Sequence, residues 1–193
     1  GWLSHGNLAA TLARASAGKD TYLAWNTRHS LLNTKDSTFS TRQIIRLCKY
    51  LSAKPEICFY NSAMSKAQHE SIGFSSKCAG VIPNGVDTET YKCSTLLKEK
   101  IRSEFGISQE AFVIGHVARA HPMKDHPSFL KATSAVARAH PDCHILLAGL
   151  DVEPGNNLIK RYIDSSVSTQ FHLLGERNDV PELMSAMDMF CQS

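Results

Sequence analysis

The chain has 193 residues, enough for one complete domain or two incomplete ones and too few for a large multidomain enzyme. Hydrophobic residues make up 42% and charged residues 20%, which excludes a disordered chain and predicts a buried core. With 21 basic against 18 acidic side chains the net charge is +3, which excludes nucleic-acid binding by overall charge, so any basic site must be local.

In chain order, Asn7 is read as the cap of a helix through residue 17 with Gly18 as its stop, and a strand follows over 21–26. Ile44, Ile45, Leu47, Cys48 and Leu51 recur at helical spacing over 41–54, and Pro55 ends that helix before a strand over 57–60. Ser62 caps a third helix that Gly73 ends, and an edge strand over 80–83 leads into Asn84-Gly85-Val86-Asp87, where Asn-Gly predicts a sharp turn. The polar stretch 88–109 holds a short helix over 96–105 with Gly106 as its stop. A strand over 112–118, a helix over 127–139 opening on Pro127 and a strand over 143–148 come next. A helix over 158–165, a strand over 171–174, a helix over 180–187 capped by Asp179 and a terminal strand over 188–193 complete the chain.

Alternating strands and helices predict an α/β protein with parallel sheets, since parallel neighbours need a crossover and the crossover is usually helical. Two Rossmann-like units in tandem, 1–86 and 87–193, fit the polar stretch between the runs. The longest apolar run, 145–150, is far short of the ~20 residues of a membrane helix. Cysteines 48, 58, 78, 93, 143 and 191 form no C-x-x-C pair, so neither a zinc site nor a disulfide framework is expected, and reduced thiols of a cytoplasmic protein are. The opening on Gly1-Trp2-Leu3 and the close in a strand suggest a chain cut at both ends.

In doubly wound sheets, ligands sit beyond the carboxyl ends of the strands. That rule selects Arg119 and Lys124 after the first strand of the second unit, Gly149 after the next, and Gly175, Glu176 and Arg177 after the third. Two permanent cations beside a helix amino terminus suit a phosphate or diphosphate. Solvated loop cations, or partners of Asp125, are the alternative reading. His116, His121 and His126 recur at equal intervals, but the first lies in a strand and the others flank Pro122, while Pro141 interrupts His140 and His144, so a metal site is rejected. The loop acids Asp87 with Glu89 and Asp151 with Glu153 read as solvated rather than as a magnesium clamp, and no metal is expected. His29, just past a strand end, fits a crevice-facing site and equally a structural histidine. No G-x-S-x-G elbow, Walker loop or G-x-G-x-x-G fingerprint occurs, so positioning and charge compensation suit the residues better than nucleophilic catalysis.

Val81-Ile82-Pro83-Asn84-Gly85-Val86-Asp87, Arg119 with Lys124-Asp125-His126, Ile145-Leu146-Leu147-Ala148-Gly149, and His172-Leu173-Leu174-Gly175-Glu176-Arg177 with Asp179-Val180-Pro181 together resemble the retaining glycosyltransferases of family 4. Trp2, His5, Asn7 and Arg28-His29-Ser30 are similar to the amino-terminal half of bacterial members that build surface polysaccharides. The resemblance implies a GT-B fold, with an acceptor-side domain and a domain that holds the nucleotide-sugar donor. By motif position it makes Arg119 and Lys124 the pair that binds the donor diphosphate, and His29 the residue facing the transferred sugar. Gly149 and the loop of Gly175, Glu176 and Arg177 would line the nucleoside pocket, with Asn84 and Gly85 at the interdomain turn.

The implied activity is hexosyl transfer with retention to a glycan or lipid-linked acceptor, without a metal or other cofactor, with peripheral contact at the inner face of the membrane and no nucleic-acid partner. Ala118 stands where the family usually has Gly. The family's paired glutamates would follow Ser193 and its glycine-rich amino-terminal loop would precede Gly1, so the chain corresponds to the middle of a longer enzyme. A sugar-nucleotide epimerase of the same fold and a non-catalytic nucleotide-binding module are the alternatives.

Overall fold

A computed structural model describes residues 1–17, 21–31 and 38–192, in two compact units, Gly1–Gly85 and Val86–Ser193. Gly18 and Ser193, read as a helix stop and the end of a strand, lie outside the described residues.

In the first unit, helix α1 (Leu3–Ala17) precedes β1 (Ala24–Thr27), α2 (Phe39–Leu51), β2 (Ile57–Tyr60), α3 (Ala63–Ser71) and β3 (Ala79–Val81). The strands pair in parallel in the order β1-β2-β3, and a bridge from Trp2 to Asn26 lies on the free side of β1. Leu23, Trp25, Ile45, Cys48, Cys58, Tyr60 and Phe74 form the core. α1 begins four residues before the expected cap, Asn7. Asn7 is buried within the helix, where its Oδ1 accepts from the Asn26 N–H at 3.3 Å and its Nδ2 donates to Thr27 Oγ1 at 3.4 Å. Its polar group therefore joins helix to strand rather than capping. Ser62 does cap α3, accepting from the Ser65 N–H at 3.0 Å. α2 stops at Leu51, before Pro55, with Ser52 as its C-cap.

The expected Asn84-Gly85 turn is absent, and no turn is assigned between Ile82 and Asp87. The turn comes later because the Asp87 carboxylate accepts from the Glu89 and Thr90 N–H groups and the Thr90 hydroxyl, while its carbonyl accepts from Tyr91 N–H.

The second unit contains α4 (Thr95–Glu104), β4 (Phe112–Val117), α5 (His126–Ala139), β5 (Cys143–Ala148), α6 (Asn157–Lys160), β6 (Phe171–Leu173), α7 (Val180–Ala186) and β7 (Met189–Phe190). Its parallel sheet has the order β6-β5-β4-β7. Because both faces are covered, β5 is apolar from Ile145 to Ala148: Ile145 and Leu147 pack in the cluster with Phe129 and Leu130 of α5, Leu146 and Ala148 in the cluster with Ile101 of α4 and Leu183 of α7.

The helix expected over 158–165 is a single turn, α6, capped by Asn156, followed by a 3-10 segment, Ser165–Gln170, capped by Asp164. Asp179 precedes α7 but makes no side-chain cap, because its carboxylate is taken by Arg177. Arg102, wholly buried on α4, donates to the carbonyls of Gln109, Ala111 and Ala186 and to Asp188 Oδ2 at 2.7 Å. Asp188 in turn accepts from the Val113 N–H at 2.8 Å and from Lys98, so one guanidinium and one carboxylate fasten α4, β4 and the α7–β7 corner.

Candidate functional site

In the second unit, β4 is the first strand of its sheet and lies between β5 and β7. The winding therefore reverses at β4, and the carboxyl ends of β4 and β7 flank the switch point at which such sheets take ligands.

Three loops meet at that edge through their backbones. Ala118 N–H donates to the Ala148 carbonyl at 2.9 Å and Ala120 N–H to Leu150 at 2.8 Å, which carries the β4–β5 pairing past the strand ends. Gly149 N–H donates to Gly175 at 2.7 Å, and Gly175 N–H to Val152 at 3.0 Å. Gly149 has φ +148°, and a Cβ built there would stand 2.2 Å from the Ala118 oxygen and 2.8 Å from the Arg119 nitrogen. Only glycine lets the Ala118–Arg119 peptide pass so close. Ala118 is itself buried, so its methyl group adds no bulk to an open surface.

From this braced peptide Arg119 projects into solvent, and it makes no hydrogen bond or ion pair among the described residues. Lys124 ends the 3-10 turn Pro122–Lys124, is half-buried, and has a further interaction within the chain, as does Asp125. Asp125, in the left-handed region at φ 35°, caps α5 by accepting from Ser128 N–H at 3.4 Å. Arg119 and Lys124 thus leave the two ends of one short loop at the start of a helix of 14 residues. This edge can take an anion.

Beneath the loop lie two buried histidines. His126 Nε2 is 3.2 Å from the Ala118 carbonyl oxygen and His116 Nδ1 is 2.8 Å from that of Cys191. The rings meet edge to face at 4.7 Å, and His116 stacks on Phe129 at 4.7 Å. Burial is the main cause that lowers both pKa values, helped at His116 by the Lys124 charge and at His126 by His116 and then Lys124, and it keeps both rings neutral at pH 7. Sequence spacing placed these residues in an equal-interval series, but His121 stands apart, its Nδ1 accepting from Met123 N–H at 3.2 Å. Among the described residues no three His, Cys, Asp or Glu side chains converge as metal ligands.

Glu176 is exposed at the same edge. Arg177 is half-buried and fully engaged: it donates to both oxygens of Asp179 at 2.8 and 2.6 Å and to Glu104 at 3.0 Å, and lies over the Phe105 ring. Its guanidinium braces the loop onto the end of α4 and lines a cavity of about 590 Å³ with Thr90, Leu97 and Pro181.

In the first unit, His29 follows β1 and packs edge to face on His69 at 5.3 Å, itself against Tyr60 and Phe74. The His29 carbonyl accepts from Ser65 Oγ at 2.8 Å, and burial lowers its imidazole pKa. Arg28 lies over the Trp2 ring at 5.1 Å and donates to Asn84 Oδ1, so the Asn84 side chain is tied to the end of β1. Gly85 is exposed, with open space where a Cβ would stand, and neither steric room nor a positive φ demands a glycine there. Trp2 and Arg28, quoted only for resemblance, are the residues sequence reasoning left without a role.

The two parallel-sheet α/β units are those of a GT-B fold, shared with solved glycosyltransferase-type structures. Residues 98–193, which lie in the second unit, match the family model described as "Glycosyl transferases group 1". Anabaena HepE, solved in complex with UDP-glucose, superposes with a TM-score of 0.74 at 24% identity over 97% of this chain and 49% of that one. Sucrose-phosphate synthase from Thermosynechococcus elongatus gives 0.72 at 12% identity, over 98% of this chain and 48% of that one. In sequence, the chain is 35% identical over 116 residues to the UDP-Gal:alpha-D-GlcNAc-diphosphoundecaprenol alpha-1,3-galactosyltransferase of Escherichia coli. That match covers 57% of this chain and 29% of the relative. The chain therefore spans under a third of that relative and about half of the solved chains.

No described helix is long and apolar enough to cross a membrane.

Proposed function

We propose that this chain belongs to a glycosyltransferase that moves a hexose from a nucleotide-sugar to a glycan or lipid-linked acceptor with retention, and that the donor diphosphate binds at the β4 edge of the second unit. The observation that carries this reading is Arg119: an exposed guanidinium without an internal partner among the described residues, on a backbone braced by Gly149 at a sheet switch point. HepE, similar over both units, is solved with UDP-glucose, and the E. coli relative is named for a UDP-sugar donor and a diphosphate-linked lipid acceptor.

As the bond from the sugar to the diphosphate breaks, negative charge grows on the departing nucleotide. Arg119 meets it with a planar fork of donors, Lys124 with a compact ammonium, and α5 with its amino-terminal N–H groups. Charge compensation of this kind acts where charge develops in the transition state. The cations supply it, so the reading calls for no metal. The loop of Gly149, Gly175 and Glu176 borders the nucleoside, with Arg177 holding that loop, while His29 and Asn84 belong to the acceptor-side unit.

Calorimetry of UDP binding to the chain tests the site. Arg119→Ala and Lys124→Ala are each expected to weaken binding roughly 10- to 100-fold, from about 1.5–3 kcal/mol per charged hydrogen bond. In the full-length protein the same changes should suppress nucleoside diphosphate release. Unchanged affinity in both variants removes the proposed role. NMR of the product reports its anomeric configuration, and inversion contradicts retention. Co-sedimentation with anionic vesicles reports peripheral membrane contact, and a chain left wholly in the supernatant contradicts it.

A further inference from the structure

The buried histidine pair beneath the β4 loop is left without a part in charge compensation, although it touches that loop. Both hydrogen bonds end on backbone carbonyls, which only accept, so each ring must donate: His126 through Nε2–H to Ala118 and His116 through Nδ1–H to Cys191. The tautomers are thereby fixed. The opposite nitrogens, His126 Nδ1 and His116 Nε2, are buried and have no hydrogen-bond partner among the described residues. A fold that needed only apolar filling here would carry a leucine or phenylalanine and leave no nitrogen unsatisfied.

The donated bonds lie at two informative places. The Ala118 carbonyl belongs to the peptide from which Arg119 projects, and His126 is the first residue of α5, two positions after Lys124. The bond from His126 to Ala118 therefore closes the nine-residue span 118–126 at its base, with both cations inside the closed loop. His116 backs the His126 ring edge to face and holds the end of β7 through Cys191, whose own N–H donates to Gly115 of β4 at 2.9 Å. Gly149 presses on the same Ala118–Arg119 peptide at its carbonyl carbon and oxygen. The peptide is thus set by contact with Gly149 and by a bond from His126.

We propose that His126 is a positioning residue, backed by His116, whose Nε2–H bond to the Ala118 carbonyl closes the 118–126 loop and presents Arg119 and Lys124 together to the donor diphosphate. The inference rests on the reading of that edge as the diphosphate site.

The test is a double-mutant cycle on UDP affinity by calorimetry, with thermal melts alongside. His126→Leu keeps an apolar side chain and loses the donor, and it is expected to weaken UDP binding about tenfold. His126→Gln places an amide N–H close to the position of Nε2 and is expected to restore affinity to within about twofold. In an Arg119→Ala background, His126→Leu is expected to cost clearly less than in the parent, because one of the two cations it positions is gone. Equal affinity of His126→Leu and the parent, equal losses in the Leu and Gln variants, or fully additive losses with Arg119→Ala would overturn the inference while leaving the diphosphate site intact. An Arg119→Ala chain that binds UDP as the parent does would overturn both.

Discussion

A side chain at position 149 has no room, because its first carbon would lie 2.4 Å from the Ala118 carbonyl carbon, and neither group is a flexible side-chain tip. Gly149→Ala should therefore move the β4 loop or destabilise the unit, by about 1–3 kcal/mol from overpacking alone. A thermal melt together with UDP affinity checks this, and an alanine variant unchanged in both contradicts the close approach. Arg102 is the second residue on which the unit turns. Removing its charge leaves the carbonyls of Ser108, Gln109, Ala111 and Ala186 without this donor, while Asp188 keeps Lys98 and the Val113 N–H, so Arg102→Leu is expected to cost about 1–3 kcal/mol in urea unfolding, the range for leaving buried acceptors unsatisfied. A loss below about 1 kcal/mol would show that the pair contributes no more than a surface bridge. Neither role is visible in the sequence, where Arg102 reads as one more basic residue on a polar helix and Gly149 as a loop residue after an apolar strand.

At the scale of elements, the strands were the most legible part. Runs such as Ile57–Tyr60 and Cys143–Ala148 are short, apolar and punctuated by Pro, Gly or Asp, and the structure places strands there. Polar residues at element ends were less legible, because each has several possible partners and tertiary contact decides among them. Asn7 bonds to β1, Asn84 to Arg28 and Asp179 to Arg177, although local rules suggest a cap, a turn and a cap. The candidate site was legible where it depends on strand order, as with Arg119 and Lys124. It was illegible where it depends on packing across ten residues, as with His116 against His126. The α7 amino terminus offers a test at this scale. Arg177→Ala loses two ion pairs but frees the Asp179 carboxylate to cap α7, so the net loss in urea unfolding is expected to be about 1 kcal/mol or less. A loss of several kcal/mol would mean that Arg177 braces far more than this corner.

Across the whole molecule, six of the nine histidines, His29, His69, His116, His126, His144 and His172, have pKa values lowered chiefly by burial. His172, facing His144 at 3.1 Å, is pushed down to about 4. In the unfolded chain these groups return to their ordinary value of 6.5. Above that pH both states are neutral and the contribution to stability is fully present. As the pH falls from about 6.5 towards 4, the unfolded chain takes up protons that the folded one refuses, so stability declines. Urea midpoints should be nearly level above about pH 7 and fall as the pH drops through about 6.5 to 5, before the carboxylates titrate, and a profile flat or rising over that fall contradicts neutral buried rings.

The place where a nucleoside diphosphate settles decides the account most directly, and amide NMR of the labelled chain titrated with UDP reads it. The account predicts that the largest shifts fall on residues 118–126, 149–150 and 175–176, around the carboxyl end of β4. Shifts concentrated at the opposite edge of that sheet, around Phe112, His140 and Cys143, or confined to the first unit, would contradict it.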